Sequence, residues 1–458
     1  MQEPNSKKIP SYVPEFIRVG LSLAIADMYD GKVFDDFPGA CQRCGSRDCM
    51  KNGCDDVLFA KLISPEGGFV DVRVRLQNHL CNDCGKPYLS HGPFYKGAAY
   101  GAPIVDMALM LSMDCSSYAV ERAMMNFGIQ LSEDTVLDYT RLFAERAKEL
   151  APLIKGQGEG LYAINMLKVL FGVENARELK EKLPDVTLES LSDEVYLRKK
   201  GALRKILEEV AEGRKKLVHR GAKGDIAVEK DEDGREKASF PESFTLALSY
   251  LPGAEAYASL LCTKQSFNTM LANMLFKALE GTSFNMTDGS KSYNEVKNRV
   301  LDPVHRTRNE LKHDSRFKEM RKELKEEKEK VEEAKNEEEK NRAVEGVEKK
   351  IQAVTKYAKA KYQKVLGSTI EQVRREHPEL FDENGSFRGR AMTSNGAEGG
   401  NWRLKYHVRV AHSRVDTSTG KSALAAIKDS VFTVRGVKIR ESFANKVGFV
   451  FGGVMAAV

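Results

Sequence analysis

Long hydrophobic runs are scarce in this chain of 458 residues. The tail from Val447 to Val458 is apolar and glycine-rich, but about 12 residues fall short of the roughly 20 that a spanning helix needs. A buried terminal strand or loop is the expectation there, and no membrane partner is predicted. The opening residues, Met1 to Lys8, lack the apolar core of a signal peptide. An excess of one charge is missing too. Lys and Arg number 72 against 66 Asp and Glu, and a net charge of +6 permits nucleic-acid binding without requiring it. With 41% hydrophobic and 30% charged residues the chain can bury a core, which excludes disorder as a whole. Its 36 Gly and 14 Pro exclude a collagen. No internal repeat is visible, and at roughly 100–200 residues per domain the length predicts two to four domains.

Cysteine is rare outside one short segment, because six of the eight fall between residues 41 and 84. Without a secretion signal, this predicts metal binding in a reducing compartment rather than a disulfide framework. Cys41-Gln42-Arg43-Cys44 and Cys81-Asn82-Asp83-Cys84 have the spacing at which two thiolate pairs close a tetrahedral Zn²⁺ site. Gly45 and Gly85 follow the two pairs and allow the tight turn that brings backbone amides to the sulfurs. Between the pairs, Val70, Val72, Val74 and Leu76 alternate with Asp71, Arg73 and Arg75 after the turn Pro65 to Gly68, which predicts a β-hairpin and the plan of a zinc ribbon. A Cys₄ site has no open position, so it is expected to be structural. Cys49 and Cys54 are read as spare thiols, with replacement of a ligand or a second metal left open. Cys115 and Cys262 are expected in cores. Arg43, Arg47, Lys51, Arg73 and Arg75 are candidates for contact with DNA phosphate.

Helical periodicity covers Gly97 to Leu150. Ser116 and Ser132 are placed to cap helices over 118–127 and 133–143, Gly128 ends the first, and Val105 to Met113 supplies a supporting helix. This pattern fits a helix-turn-helix whose second helix presents Thr135, Asp138, Tyr139 and Arg141 outward, with an ordinary helical hairpin as the bland alternative. Further on, Phe244 to Leu251 and Ala256 to Leu261 read as strands joined at Pro252-Gly253, Ser266 to Leu279 as a helix, and Ser283 to Thr287 as a strand ending at Asp288-Gly289. A carboxylate at a strand end is where an α/β sheet places chemistry. From Arg306 to Lys364 the chain is dense in Lys and Glu. Phe317, Met320, Leu324, Val331, Ala334, Val344, Val347, Ile351 and Val354 recur at three- and four-residue steps, predicting a long helix or helical hairpin with a narrow apolar seam. In Thr393 to Arg409, Ser394 or Asn395 can cap a helix that carries Glu398, Arg403, Lys405 and Arg409.

Taken together, the cysteine module, the helical pair, "TDGSKSY" (residues 287–293) and "TSNGAEGGNWRLK" (residues 393–405) resemble the DDE transposases of prokaryotic insertion sequences. The last motif resembles that family's Asn-x-x-Glu-x-x-Asn-x-x-x-Lys box. The resemblance implies a multidomain chain. Residues 1–95 would form a zinc ribbon with an N-terminal extension and 96–160 a helix-turn-helix. An α/β ribonuclease H-like core would occupy 161–305 and 366–458, interrupted by a helical insertion at 306–365. It implies that Asp288 and Glu398 are the second and third members of a carboxylate triad holding two Mg²⁺ or Mn²⁺ ions. Asp193, in Ser192-Asp193-Glu194-Val195-Tyr196, resembles the first member. Asp225 is its rival, and Asn165 in that place would mean a disabled metal site. His305, Arg403, Lys405 and Arg409 would meet DNA phosphate, with Arg73, Arg75 and Arg141 from the N-terminal modules. The implied function is binding of double-stranded element ends and target DNA, followed by metal-dependent strand cleavage and strand transfer. The implied assembly is a homodimer or larger on DNA, in the cytoplasm at the nucleoid. The alternatives are a non-catalytic or domesticated DNA-binding regulator, and a ribonuclease H-like nuclease without strand transfer.

Overall fold

Alternation along the hairpin decides which way it faces. In β2 (Cys49–Ile63) and β3 (Phe69–Cys81), Phe59, Leu62, Val72 and Val74 are buried while Asp71, Arg73 and Arg75 point to solvent. The strands pair antiparallel from Cys49↔Cys81 to Ile63↔Phe69, and the turn closes with Gly67 and Gly68 at positive φ. β1 (Val33–Phe34) joins β3 in parallel and β4 (Pro87–Leu89) joins it antiparallel, giving a four-stranded sheet. The computed structural model describes residues 15–113, 115–155, 160–198, 202–219, 225–230, 236–239, 243–389, 422–424 and 455.

α1 (Glu15–Tyr29), which the sequence reading did not anticipate, lays Leu21, Ile25 and Tyr29 on this sheet. Then follow α2 (Ala102–Ser112), α3 (Ser117–Asn126) and α4 (Glu133–Leu150). The Ser116 and Ser132 hydroxyls accept from the amides of Ala119 and Thr135, and Gly128 leaves α3 at φ +81°. The helices do not stand apart from the hairpin. Ile129 bridges Leu62, the Ile63 amide donates to Gly128 O at 2.8 Å, and Ile104, Leu109, Val120 and Met124 share one core with Phe59 and Val74. The division expected at residue 95 therefore runs through a common core.

Gly101 shows how tight that junction is. A Cβ there would lie 1.9 Å from Cε2 of the fully buried Phe59, whose ring stacks on Tyr29 at 4.0 Å. Gly101→Ala is expected to destabilise the chain by about 1–3 kcal/mol through overpacking. A lowered thermal midpoint in calorimetry checks this, whereas an unchanged midpoint would mean the ring can move.

The rest is mixed helix and sheet. β5 (Leu161–Asn165) runs into α5 (Met166–Phe171), then α6 (Ala176–Lys182) and β6 (Glu189–Arg198). After α7 (Ala202–Ala211), β7 (Lys216–His219), β8 (Asp225–Lys230) and β9 (Glu236–Ser239) form a separate three-stranded sheet. β10 (Ser243–Leu251), β11 (Ala256–Thr263), α8 (Thr269–Phe276), β12 (Phe284–Thr287) and β13 (Arg299–Leu301) follow. The six-stranded sheet has the order β13-β12-β6-β10-β11-β5. Its members β6, β12 and β13 are mutually parallel neighbours, while β10, β11 and β5 continue antiparallel. Apolar cores cover both faces: Leu191, Met286 and Val300 lie on one side, Ala247, Leu261 and Tyr293 on the other.

α9 (Pro303–His313), α10 (Ser315–Glu333) and α11 (Glu337–Glu376) realise the predicted helical hairpin. No residue of α10 is buried; Phe317 stacks with Tyr357, and Lys350 pairs with Glu323 across the seam. α11 runs 40 residues, about 60 Å. The boundary expected at 365 thus falls inside one helix, which continues through Gly367 to Glu376, and Val373 carries it back into the main core. The boundary expected at 305 likewise lies within α9. Ala423, Leu424 and Met455 are buried in that same core. Among the described residues no helix is long and apolar enough to cross a membrane.

Candidate functional site

Two places bring chemistry-bearing side chains together. The first is the end of the β2–β3 hairpin. Both knuckles repeat one backbone pattern. The Gly45 amide donates to Cys41 O and the Cys41 amide to Ser46 O, as Gly85 does to Cys81 O and Cys81 to Lys86 O. Gly45 and Gly85 both take positive φ, at +74° and +63°. The four sulfurs lie within 4.8 Å of one another. Cys41–Cys84 and Cys44–Cys81 are each 3.6 Å apart. That is too long for a disulfide and close to the ~3.8 Å edge of a tetrahedron with Zn–S bonds of about 2.3 Å. The donor set fits a metal ion such as zinc.

The knuckles also set the electrostatics. Amides of Cys44 and Arg43 aim at the Cys41 sulfur and lower its pKa to about 6, and the Cys84 amide lowers that of Cys81. The Ser46 amide favours the Cys44 thiolate, but hydrogen bonds shared with Cys84 and Cys81 outweigh it and push that thiol up to about 12. Four sulfurs this close cannot all carry charge without a cation. Cys49 and Cys54 stay outside the group: Cys49 donates to Ser46 O and Cys54 to Gln77 Oε1. Cys262 is in the core and Cys115 is half-buried.

The second place is the middle of the six-stranded sheet. β12 pairs with β6 through Phe284↔Glu189, Asn285↔Ser190 and Met286↔Leu191. Continuing that register by two residues brings Asp288 level with Asp193. β13 pairs through Thr287↔Leu301, so one residue further puts Asp302 beside Asp288. Asp193 and Asp288 are half-buried. The Asp288 Oδ1 accepts from the Ser290 amide at 2.8 Å, an Asx turn that holds the carboxylate at the strand end. Arg299 secures this loop: its guanidinium donates to Thr287 Oγ1, to the carbonyls of Asp288 and Ser290, and to Asn294 Oδ1. A Cβ on Gly289 would lie 3.0 Å from Asn309 Nδ2, so α9 packs directly against the Asp-Gly step.

Glu194, next to Asp193, faces the opposite side of the sheet and accepts a 2.5 Å hydrogen bond from the hydroxyl of fully buried Tyr293. Burial raises the Glu194 pKa to about 7; the Tyr293 bond opposes the shift, and Asp288 and Asp193 add to it by repulsion. A carboxyl that ionises near 4.5 unfolded and near 7 folded binds more protons in the fold. Its contribution to stability is full below about pH 4.5 and is lost as pH rises through 7. Glu194→Gln, which keeps an acceptor for Tyr293, is expected to flatten the decline in stability over that window. Urea denaturation of both proteins across pH 4–8 checks it, and parallel curves would contradict it.

The expected site residues fall as follows. Asp225 opens β8 in the separate three-stranded sheet. Asn165 sits on the edge strand β5, where its side chain caps α5 and donates to Glu174 O. Neither lies on a strand beside β12. No three carboxylates among the described residues draw together within 4.8 Å as the sulfurs do. Glu398, Arg403, Lys405 and Arg409 lie outside the described residues. His305 is half-buried one turn into α9, whose N-cap Asp302 takes the His305 amide and donates its own amide to Thr287 O at 2.9 Å. Arg75 is exposed, whereas Arg73 is bound to Asp56 and Asp71.

α4 needs correction. Tyr139, expected outward, is buried at 2% exposure, because the inward stripe Val136, Tyr139, Phe143, Ala147 follows the helical repeat. The side of α4 in solvent carries Glu133, Asp134, Asp138, Glu145 and Glu149, and Arg141 is paired with Asp138. Such a face repels phosphate.

Sequence reading missed Glu194 as a partner of Tyr293, and it missed Asp302 and Arg299. Asp302-Pro303 is a helix-start signal that would have revealed the cap; the role of Arg299 has no local signature. Comparison with protein-family models, with curated proteins and with solved structures found no match.

Proposed function

We propose that this chain is a DNA transposase of the DDE type, which binds the ends of a mobile element and catalyses divalent-metal-dependent strand cleavage and strand transfer. The observation that supports the reading is the parallel register of β6 and β12, which ends at Met286↔Leu191 and, extended two residues past that pair, would set Asp288, just beyond the end of β12, level with Asp193. A ribonuclease H-like core implies such a pair. The motif around Glu398 supplies the third carboxylate, and the burial of Ala423, Leu424 and Met455 in the main core is consistent with a chain that returns to the sheet after it.

Asp193, Asp288 and Glu398 would hold Mg²⁺ or Mn²⁺, whose preference for hard oxygen ligands fits this donor set. When bound, such ions stabilise the attacking and leaving oxygens of an in-line displacement at phosphorus. Arg299 and the Asx turn keep the Asp288 carboxylate in one orientation. The Cys₄ hairpin acts as a zinc ribbon. With α4 acidic on its open side, the ribbon carries the DNA contact, through Arg75 and the knuckle residues Arg43 and Arg47, all exposed. The α10–α11 hairpin is the insertion between the second and third carboxylates, and pairing two element ends calls for at least two copies of the chain.

The test is cleavage of DNA carrying the element ends, with the zinc-loaded chain and Mg²⁺. Metal-dependent nicking or joining is expected. DNA binding with no cleavage in Mg²⁺ or Mn²⁺ would assign the non-catalytic regulator instead.

A further inference from the structure

Beside the knuckles lies a cleft of about 370 Å³, which the sulfur-bearing residues Cys41, Cys49 and Cys81 also line. Its size is within the roughly 300–1,000 Å³ of small-ligand sites. Phe37, His79 and Tyr88 supply aromatic walls, and Gln42, Arg43 and Lys86 supply polar groups. The rings are fixed in place. Phe37 stacks on His79 at 4.3 Å and meets Tyr88 edge-on at 5.4 Å. His79 Nε2 is 2.8 Å from Asp35 Oδ1, and the Tyr88 hydroxyl donates to Asp36. Both acids are occupied, Asp35 also by Lys51 and Asp36 also by the amides of His91 and Gly92. Neither acid lines the cleft. Arg43 and Lys86 are exposed, and among the described residues neither forms an ion pair. An aromatic wall with free cations at its edge is the recognition chemistry of a base with its phosphates. A duplex keeps its base faces stacked and cannot offer one.

We propose that this cleft takes an unpaired nucleobase of single-stranded DNA, stacked against the Phe37–Tyr88 wall, with the adjoining phosphates on Arg43 and Lys86. The inference rests on the DNA-binding part of the proposed function and adds a ligand class to it: an element end from which one strand has been cut exposes such bases.

The experiment is fluorescence anisotropy of the full, zinc-loaded chain with four probes: a short oligothymidine, an abasic strand of equal length, a duplex, and thymidine monophosphate as competitor. The parent protein should bind oligothymidine at least about tenfold more tightly than the abasic strand. Phe37→Ala and Tyr88→Ala should remove that difference while keeping zinc content and duplex affinity. Lys86→Gln should weaken oligothymidine and the abasic strand alike. Equal affinity of the parent for oligothymidine and the abasic strand would overturn the proposal without reliance on any variant. So would an equal loss on duplex DNA in the ring variants, or competition by the mononucleotide as strong as by the strand. No cleavage step is measured, so a chain that binds unpaired bases yet never cuts DNA would refute the catalytic reading alone.

Discussion

Cys41→Ser and Cys81→Ser are each expected to lower bound zinc from about one ion per chain to near none, and to unfold the knuckle end of the hairpin. These are the buried members of the four-sulfur group, at 7% and 2% exposure. Beyond the Phe37–His79–Tyr88 rings, little apolar surface holds this end together, since Met50 and Leu89 are exposed and the buried Phe59, Leu62, Val72 and Val74 lie toward the other end. A metal held by the four sulfurs would therefore be the main local constraint, and structural zinc contributes on the order of 10–16 kcal/mol of apparent binding energy at neutral pH. Loss should stay local, because Ile129 and the α2–α4 helices hold the base of the hairpin. Hydrogen exchange should show protection lost around Cys81 to Leu89 and retained at Val72 and Val74. A zinc-free chain with the knuckles still protected would end the claim that metal organises them.

The second large effect concerns the carboxylates. Asp288→Ala and Glu398→Ala are each expected to reduce Mg²⁺-dependent cleavage by at least about 10²–10³-fold, the scale on which removal of one electrostatic group from a transition state acts. DNA affinity should be unchanged, because binding is assigned to the ribbon. Asp193→Ala should behave like Asp288→Ala. Asp225→Ala should cleave normally, since β8 belongs to another sheet. Normal cleavage by Asp288→Ala, or loss with Asp225→Ala alone, would reject the pairing of β6 with β12 as the origin of the site.

Local chemistry was readable in the sequence wherever it acts over a few residues. The cysteine pairs with their glycines, the Ser116 and Ser132 caps, the Pro252-Gly253 hairpin and the strand ending at Asp288 all depend on short-range geometry. What escaped depends on partners far apart in the chain. Tyr139 could be turned inward only by a core that mixes the hairpin with the helices. Glu194 finds Tyr293 at a separation of 99 residues, across the sheet. The choice among Asp193, Asp225 and Asn165 was open because each lies near strand-like sequence, and only strand order distinguishes them. The Lys/Glu segment hid its own end, since a helix rich in good formers continues without a break into the stretch Val365, Thr369 and Val373, where it becomes buried.

Direct titration of Mn²⁺ by electron paramagnetic resonance, on the zinc-loaded chain and on Asp193→Asn and Asp288→Asn, addresses the central claim most closely. The account predicts Mn²⁺ bound by the parent and a marked loss of affinity in both variants, with zinc content and fold intact. Equal Mn²⁺ binding by all three proteins would contradict it.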